Sequence, residues 1–421
     1  MRRLLGKSGV WLVGAAIILL TPAIFDSGFA LSIMGQMGVA IIFALAYNML
    51  LGQGGMLSFG HAVYFGLAGY FTIHYLTLMG DEVVGYFPVS LLPIFGGVVG
   101  LIFGIAIGFV STRRAGTTFA MISLGFSEMV TALTLILVAF FNGEEGIQTD
   151  RWVGPEPLGI TYGPDIQVYF LIGVWCFLAT LAMYAITRTP FGRMSNAVRD
   201  NPERAQFVGY NTQRVRWLAF ALSSFFAGLA GALHAINFEH VGFETVGLAQ
   251  SGIVLFMVFI GGVRNFSGPI LGAVLITLLT STLGGITEAW LLYFGVFFVL
   301  MVIFAPGGLA GLIMLHEPVW KTDVRLLRGM ILPYAGGLGT ALIAGVGVIG
   351  LIELIYFSSH KLTGESRMVL LGVETSVFSA VPWLVCAAIA AGGIVLCRKS
   401  FPRMARSWNA AIDEVRARAA A

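Results

Sequence analysis

The sequence predicts an all-α polytopic membrane protein, and three observations carry that expectation. Hydrophobic residues make up 57% of the 421-residue chain and charged residues 11%, where soluble proteins carry roughly 25% charged residues; mean hydropathy is +0.89. Twelve apolar runs punctuate the chain, at about residues 10–25, 31–51, 59–79, 88–111, 117–141, 168–187, 217–237, 247–263, 268–286, 289–305, 334–356 and 377–397. Most approach the roughly 20 residues that cross about 30 Å of hydrocarbon at about 1.5 Å per residue; 10–25, 247–263 and 289–305 are short. Third, with the N-terminus inside, 21 of the 24 Lys and Arg residues fall on inner segments, leaving only Arg151, Lys361 and Arg367 outside. That bias is what the positive-inside rule demands, and it places both termini in the cytoplasm. Acids collect on the outer segments instead, among them Asp81, Glu82, Glu144, Glu145, Asp150, Glu156 and Asp165.

In chain order, residues 1–30 carry Arg2, Arg3 and Lys7 before an apolar run and mimic a secretory signal. No small-x-small cleavage site follows cleanly, so they read as a retained first span. Residues 31–305 form a core of further spans, several interrupted by glycine. The clearest break runs from Asn48 through Gly52, Gln53, Gly54, Gly55 and Ser58 to Gly60 and His61. Others lie at Arg113–Ala120, with Leu124–Glu128 downstream, and at Ile260–Ala273. Irregular backbone at membrane depth survives only where it is buried in protein or lines a watery cavity, and such breaks often mark a substrate path. Ordinary cytoplasmic turns with small-residue packing faces are the competing reading, and the better one for the stretch around Arg264.

Glu128 is an acid placed deep inside a span. A carboxylate there costs at least about 2.5 kcal/mol, so it is expected to face the bundle interior with a partner, or to be protonated. A substrate-path role, a position nearer the membrane edge and a pair with a partner subunit all remain open. His61 and His74 share one apolar run, but a spacing of thirteen gives no metal pair, and a single His there reads as a packed, hydrogen-bonded residue.

The loop 188–216 holds Arg188, Arg193, Arg199, Arg204, Arg214 and Arg216, interrupted by Asp200 and Glu203. Charge alone is also what any positive-inside loop shows. Within it Glu203, Ala205 and Gly209 stand in the order E-x-A-x-x-x-G, a helix face followed by a glycine stop. That order resembles the coupling loop of ABC importer permeases. The text from Gly192-Arg193-Met194 to Ala227-Gly228-Leu229-Ala230-Gly231, with the three glycine-rich stretches, resembles more narrowly the branched-chain amino acid permeases of the LivM type.

The resemblance covers about residues 31–315. It implies a permease of about ten spans that pairs with a second homologous permease, two cytoplasmic ABC ATPases and an extracytoplasmic substrate-binding protein in the bacterial inner membrane. The chain itself would bind no cofactor, ATP being used by the partner subunits. Arg199, Asp200, Glu203, Ala205 and Gly209 are then the coupling residues, with Val198 and Phe207 as anchors for the ATPase groove. Asn48, Gln53, Ser58, His61 and Glu128 are the substrate-path candidates. The receptor would dock on the stretch 142–167. Branched-chain or other hydrophobic amino acids are the implied cargo; urea, amides or aromatic acids suit the same lining, and an ion-coupled secondary carrier is the rival class.

The chain departs from this pattern after Phe304-Ala305-Pro306-Gly307-Gly308 by running on. Residues 306–333 are expected to lie along the inner surface as an amphipathic linker, 334–400 to form an extra two-span hairpin, and 401–421 a cytoplasmic tail. Missing motifs narrow the function. Gly6-Lys7-Ser8 lacks the first glycine of a P-loop, Ser58 is one residue off a nucleophile elbow, and Cys176, Cys386 and Cys397 form no metal or disulfide grouping. The net charge of +3 gives no reason to expect nucleic acid.

Overall fold

The computed structural model describes residues 2–153, 160–285, 287, 289–360, 367–370 and 373–420. Glu156 and Lys361, and part of the 142–167 stretch, lie outside the described residues. Each of the twelve apolar runs becomes a helix. In order they are α1 (Arg2–Ile24), α2 (Gly28–Asn48), α3 (Ala62–Gly80), α4 (Leu92–Ser111), α5 (Thr117–Ile136), the single turn α6 (Val138–Phe141) and α7 (Asp165–Arg188). Two short helices follow, α8 (Pro190–Asp200) and α9 (Pro202–Phe207). Then come α10 (Thr212–Phe238), α11 (Leu248–Gly261), α12 (Gly268–Leu283), α13 (Trp290–Phe304), α14 (Gly308–Leu315), α15 (Glu317–Thr322), α16 (Val324–His360) and α17 (Ala380–Ala420).

Among the described residues eight helices are long and apolar enough to cross a membrane, and a ninth span arises if Trp290–Phe304 and Gly308–Thr322, bent by 41°, count as one. Trp11–Ile24, Leu248–Gly261 and Gly268–Leu283 are shorter apolar helices. The only paired strands described are two small antiparallel ribbons, β1 (Ile147–Gln148) with β2 (His240–Val241), and β3 (Arg367–Leu370) with β4 (Val373–Ser376).

Two expected boundaries move. Position 333 is not the end of a surface linker, because α16 starts at Val324 and runs straight through Pro333. At the C-terminus α17 continues helical to Ala420 with Pro402 inside it, so 401–420 extends the hairpin's second helix. Backbone hydrogen bonding continues across both polar-to-apolar transitions, so hydropathy alone puts the helix ends in the wrong place. The chain divides into two compact units, Met1–Ile286 with Gly295–Gly311, and Thr287–Phe294 with Leu312–Ala421.

The first unit is built around α10. In its most apolar window 83% of residues are buried, because small residues let neighbouring backbones close in. A Cβ on Gly231 would stand 1.9 Å from the Phe65 carbonyl of α3, and one on Gly228 would stand 2.3 Å from the Gly96 carbonyl of α4. Beyond the end of the bundle, buried Arg151 gathers the loop between α6 and α7. It donates to the carbonyls of Tyr162 (2.6 Å), Gly163 (2.8 Å) and Asn237 (3.3 Å) and pairs with Asp165 at 2.9 Å, while its backbone N–H reaches Glu239 at 2.9 Å.

In the second unit α16 and α17 pack along each other around Leu354, Leu370, Val377 and Cys386 at one end and Val319, Met330 and Ala411 at the other. Glu353 accepts from Thr287 and Tyr293, both at 2.7 Å. Two acceptor bonds satisfy a carboxylate that sits within an apolar helix.

Candidate functional site: the broken helix and the helix pair beneath it

The first glycine-rich stretch breaks a span. α2 ends in a π-turn, Met49–Gln53, and the chain stays non-helical until Ala62 opens α3. Backbone groups freed by such a break need partners when buried, and hydroxyls supply them. Tyr47 Oη donates to the Ser58 carbonyl (2.8 Å), the Phe59 N–H donates to Ser123 Oγ of α5 (3.0 Å), and the Ala62 N–H donates to Ser251 Oγ of α11 (3.1 Å). His61, fully buried, meets Ser223 Oγ through Nε2 at 3.0 Å and stacks on Phe43 at 6.0 Å. Ser58 accepts from the Gly60 N–H at 3.4 Å. Ser58 and His61 therefore hold the break in its packed shape.

Asn48 and Gln53 do line a space. A cavity of about 350 Å³ is bounded by Asn48, Gly52 and Gln53 from the break, Thr187 and Arg188 at the end of α7, Arg193 and Asn196 of α8, and Val263, Arg264 and Phe266 after α11. Three arginines and three residues with side-chain amides line it, with no acid among its walls. Asn48 Oδ1 is buried without a hydrogen-bond partner. Arg193 and Asn196 were not among the substrate-path candidates, although their spacing of three on α8 puts them on one helix face. Arg264 joins them because the chain turns sharply at Gly262, whose φ is +116°.

Beneath the cavity lies the α8–α9 pair. Thr189 Oγ1 caps α8 by accepting from the Gly192 N–H (3.4 Å), and Asn201 Oδ1 caps α9 by accepting from the Arg204 N–H (2.9 Å). Gly209, with φ +94°, ends α9 as the glycine stop predicts, and the Tyr210 N–H returns to the Ala205 carbonyl at 3.0 Å. Glu203 stands exposed in the first turn of α9.

Two expected anchors are placed differently. Val198 is buried, and so is Ala205; together with Val215 and half-buried Met194 they form the pair's own small core, which leaves neither free to enter a partner's groove. Phe207 is 91% exposed and Val208 71% exposed, so the apolar tip is Phe207-Val208. Arg199 turns inward: its guanidinium holds Asp200 Oδ1 at 2.8–2.9 Å and donates to the Gly52 carbonyl in the π-turn.

Glu128 also departs from expectation. It is exposed on the outer side of α5 and does not face the bundle interior, because the face that packs inward is Phe119, Ala120, Ser123, Ser127, Val130 and Thr134. No group of His, Cys, Asp and Glu residues able to hold a metal occurs among the described residues.

A polytopic helical chain with a glycine-broken span packed against a capped, arginine-rich helix pair defines a multi-pass membrane protein of the broken-helix kind. Residues 29–306 match the family model "Branched-chain amino acid transport system / permease component", and the chain belongs to that family. It is the membrane-spanning permease subunit of an ABC importer and not an enzyme, ATP hydrolysis lying in partner subunits. It is 29% identical over 315 residues to the high-affinity branched-chain amino acid permease LivM of Escherichia coli, covering 69% of this chain and 70% of that one. Identity to the Salmonella typhimurium LivM is 28% over 347 residues, covering 77% and 78%. A probable LivH permease of Methanocaldococcus jannaschii is 24% identical over 291 residues, covering 64% and 86%. No solved structure matches significantly. Residues 307–421 lie beyond the family match.

Proposed function

We propose that this permease imports branched-chain or other hydrophobic amino acids across a bacterial inner membrane, with both termini cytoplasmic. It works with a second homologous permease, two cytoplasmic ATPases that consume the ATP, and an extracytoplasmic substrate-binding protein. The observation that carries the coupling half of this reading is the Arg199 bond to the Gly52 carbonyl: a residue on the cytoplasmic helix pair grips the broken end of a span. Displacement of α8 and α9 by an ATPase would pull on the π-turn and on the wall of the cavity that Asn48 and Gln53 share. Glu203, Gly209 and Phe207 present the pair to the ATPase, Asp200 fixes the Arg199 guanidinium, and Ala205 keeps α9 on its base. Ser58 and His61 serve the path by holding the break in its packed shape beside it.

The test is uptake by proteoliposomes holding the four components. Leucine accumulation that requires ATP inside, needs the binding protein outside and resists protonophores supports the reading. Uptake by the permease alone, driven by an ion gradient, would establish the secondary carrier instead. Competition by excess urea, short amides or aromatic acids, with none by leucine or valine, would move the cargo to those classes. Glu203→Arg is expected to release the ATPases from a folded permease; a variant that keeps both its ATPases and its transport overturns the coupling assignment.

A further inference from the structure

Glu128 is the twelfth of the twenty residues of α5, so at about 1.5 Å per residue it sits roughly 17 Å along the helix, in the middle of about 30 Å of hydrocarbon. The residues α5 buries recur at helical spacing and define one face. On the opposite face stand Thr118, Met121, Gly125, Glu128 and Ala132, all exposed. Among the described residues no hydrogen bond or ion pair is made by the Glu128 carboxylate. A Cβ on Gly125, one turn before it, would meet nothing within 4 Å.

A carboxylate at this depth is costly against lipid and is found facing a bundle interior or a water-filled cavity. The interior of this chain is excluded by the direction in which α5 turns its buried face. The remaining aqueous surroundings at mid-membrane are those enclosed between this permease and its homologous partner. Small residues on either side, Gly125 and Ala132, leave the carboxylate open to approach. Met121, 62% exposed, and Met129, 49% exposed, supply flexible apolar surface beside it, suited to aliphatic side chains of differing shape.

We propose that Glu128 lines the translocation channel between the two permeases and receives the ammonium group of the passing amino acid, whose apolar side chain lies on Met121 and Met129. Both halves rest on the function proposed above: the cargo class on the amino-acid reading, and the channel position of α5 on the pairing with a homologous permease. A carboxyl acceptor at mid-membrane distinguishes an amino acid from urea or a simple carboxylate, neither of which brings an ammonium group.

The experiment uses the reconstituted importer. Glu128→Cys, made after Cys176, Cys386 and Cys397 are replaced, is expected to react with a charged thiosulfonate in at least one nucleotide state. Saturating leucine should slow that reaction. Val174→Cys, on an exposed apolar position of α7, is the control and should stay unreactive. Glu128→Gln should lower leucine uptake by about tenfold or more, the loss of one charged hydrogen bond, while Glu128→Asp keeps most of it and both variants retain their ATPases. Three results overturn the proposal: reaction of the Glu128→Cys thiol only with a membrane-soluble maleimide, full transport by Glu128→Gln, or separation of the two permeases by that variant. Labelling of the Glu128→Cys variant as expected, in an importer that carries no amino acid, would leave the channel placement standing and remove the cargo reading.

Discussion

Arg199 and Phe207 sit on adjacent short helices and point opposite ways, which separates their roles. The Arg199 side chain lies over Gly55, whose added Cβ would come within 2.6 Å of Arg199 Cγ, and ends on the Gly52 carbonyl. Arg199→Ala is therefore expected to lower uptake severely while the ATPases still co-purify; Arg199→Lys keeps the alkyl contact and one donor and should restore part of it. The expected sign of failure is ATP hydrolysis continuing with little transport. Phe207 contributes nothing to the chain's own packing at 91% exposed. Phe207→Ala should leave the thermal midpoint of the isolated permease unchanged and weaken ATPase binding by about 2 kcal/mol, as for a buried aromatic anchor, measurable by titrating ATPase onto immobilised permease. Equal ATPase affinity for the two proteins would remove Phe207 from the interface.

Among the elements, α9 is six residues long and exists because its ends are tied. Removing the Asn201 cap with Asn201→Ala costs about 1 kcal/mol, and faster proteolysis between α8 and α9 should report it. The seam of α10 against α3 is less forgiving. Gly231→Leu would place a side chain where the Phe65 carbonyl already stands, and overpacking of this kind costs about 1–3 kcal/mol or more; a lower melting temperature in detergent checks it. In the second unit the Arg325 backbone N–H and the Arg418 side chain hold the Asp323 carboxyl below the usual carboxylate range. A depressed carboxylate stabilises fully above its unfolded pKa and ceases to do so as pH falls through its folded one. Release of the α17 end from α15, followed by proteolysis at the C-terminus, should thus increase on acidification, and Asp323→Asn should abolish that pH dependence.

For the whole molecule, sidedness is the property on which the mechanism depends. Arg151, of the three cations expected outside the one with a described side chain, is buried and neutralised by Asp165 and Glu239. Arg151 is thus a structural clamp, and with the orientation proposed above it leaves the positive-inside bias intact. A cysteine at position 203 is expected to react with an impermeant reagent only from the cytoplasmic side; reaction from outside would invert the chain and the coupling scheme together.

Composition and periodicity were enough to determine the membrane class, the twelve apolar helices, the glycine break after α2 and the glycine stop at Gly209, because each depends on local hydropathy or turn chemistry. Direction was another matter. That Arg199 turns up to the Gly52 carbonyl, that Val198 and Ala205 face their own core, that Glu128 looks out of the bundle, and that α16 and α17 run through their polar ends were decided by tertiary packing. A helical residue's neighbours lie on other segments of the chain, and hydropathy records how apolar a segment is without recording which way each side chain points.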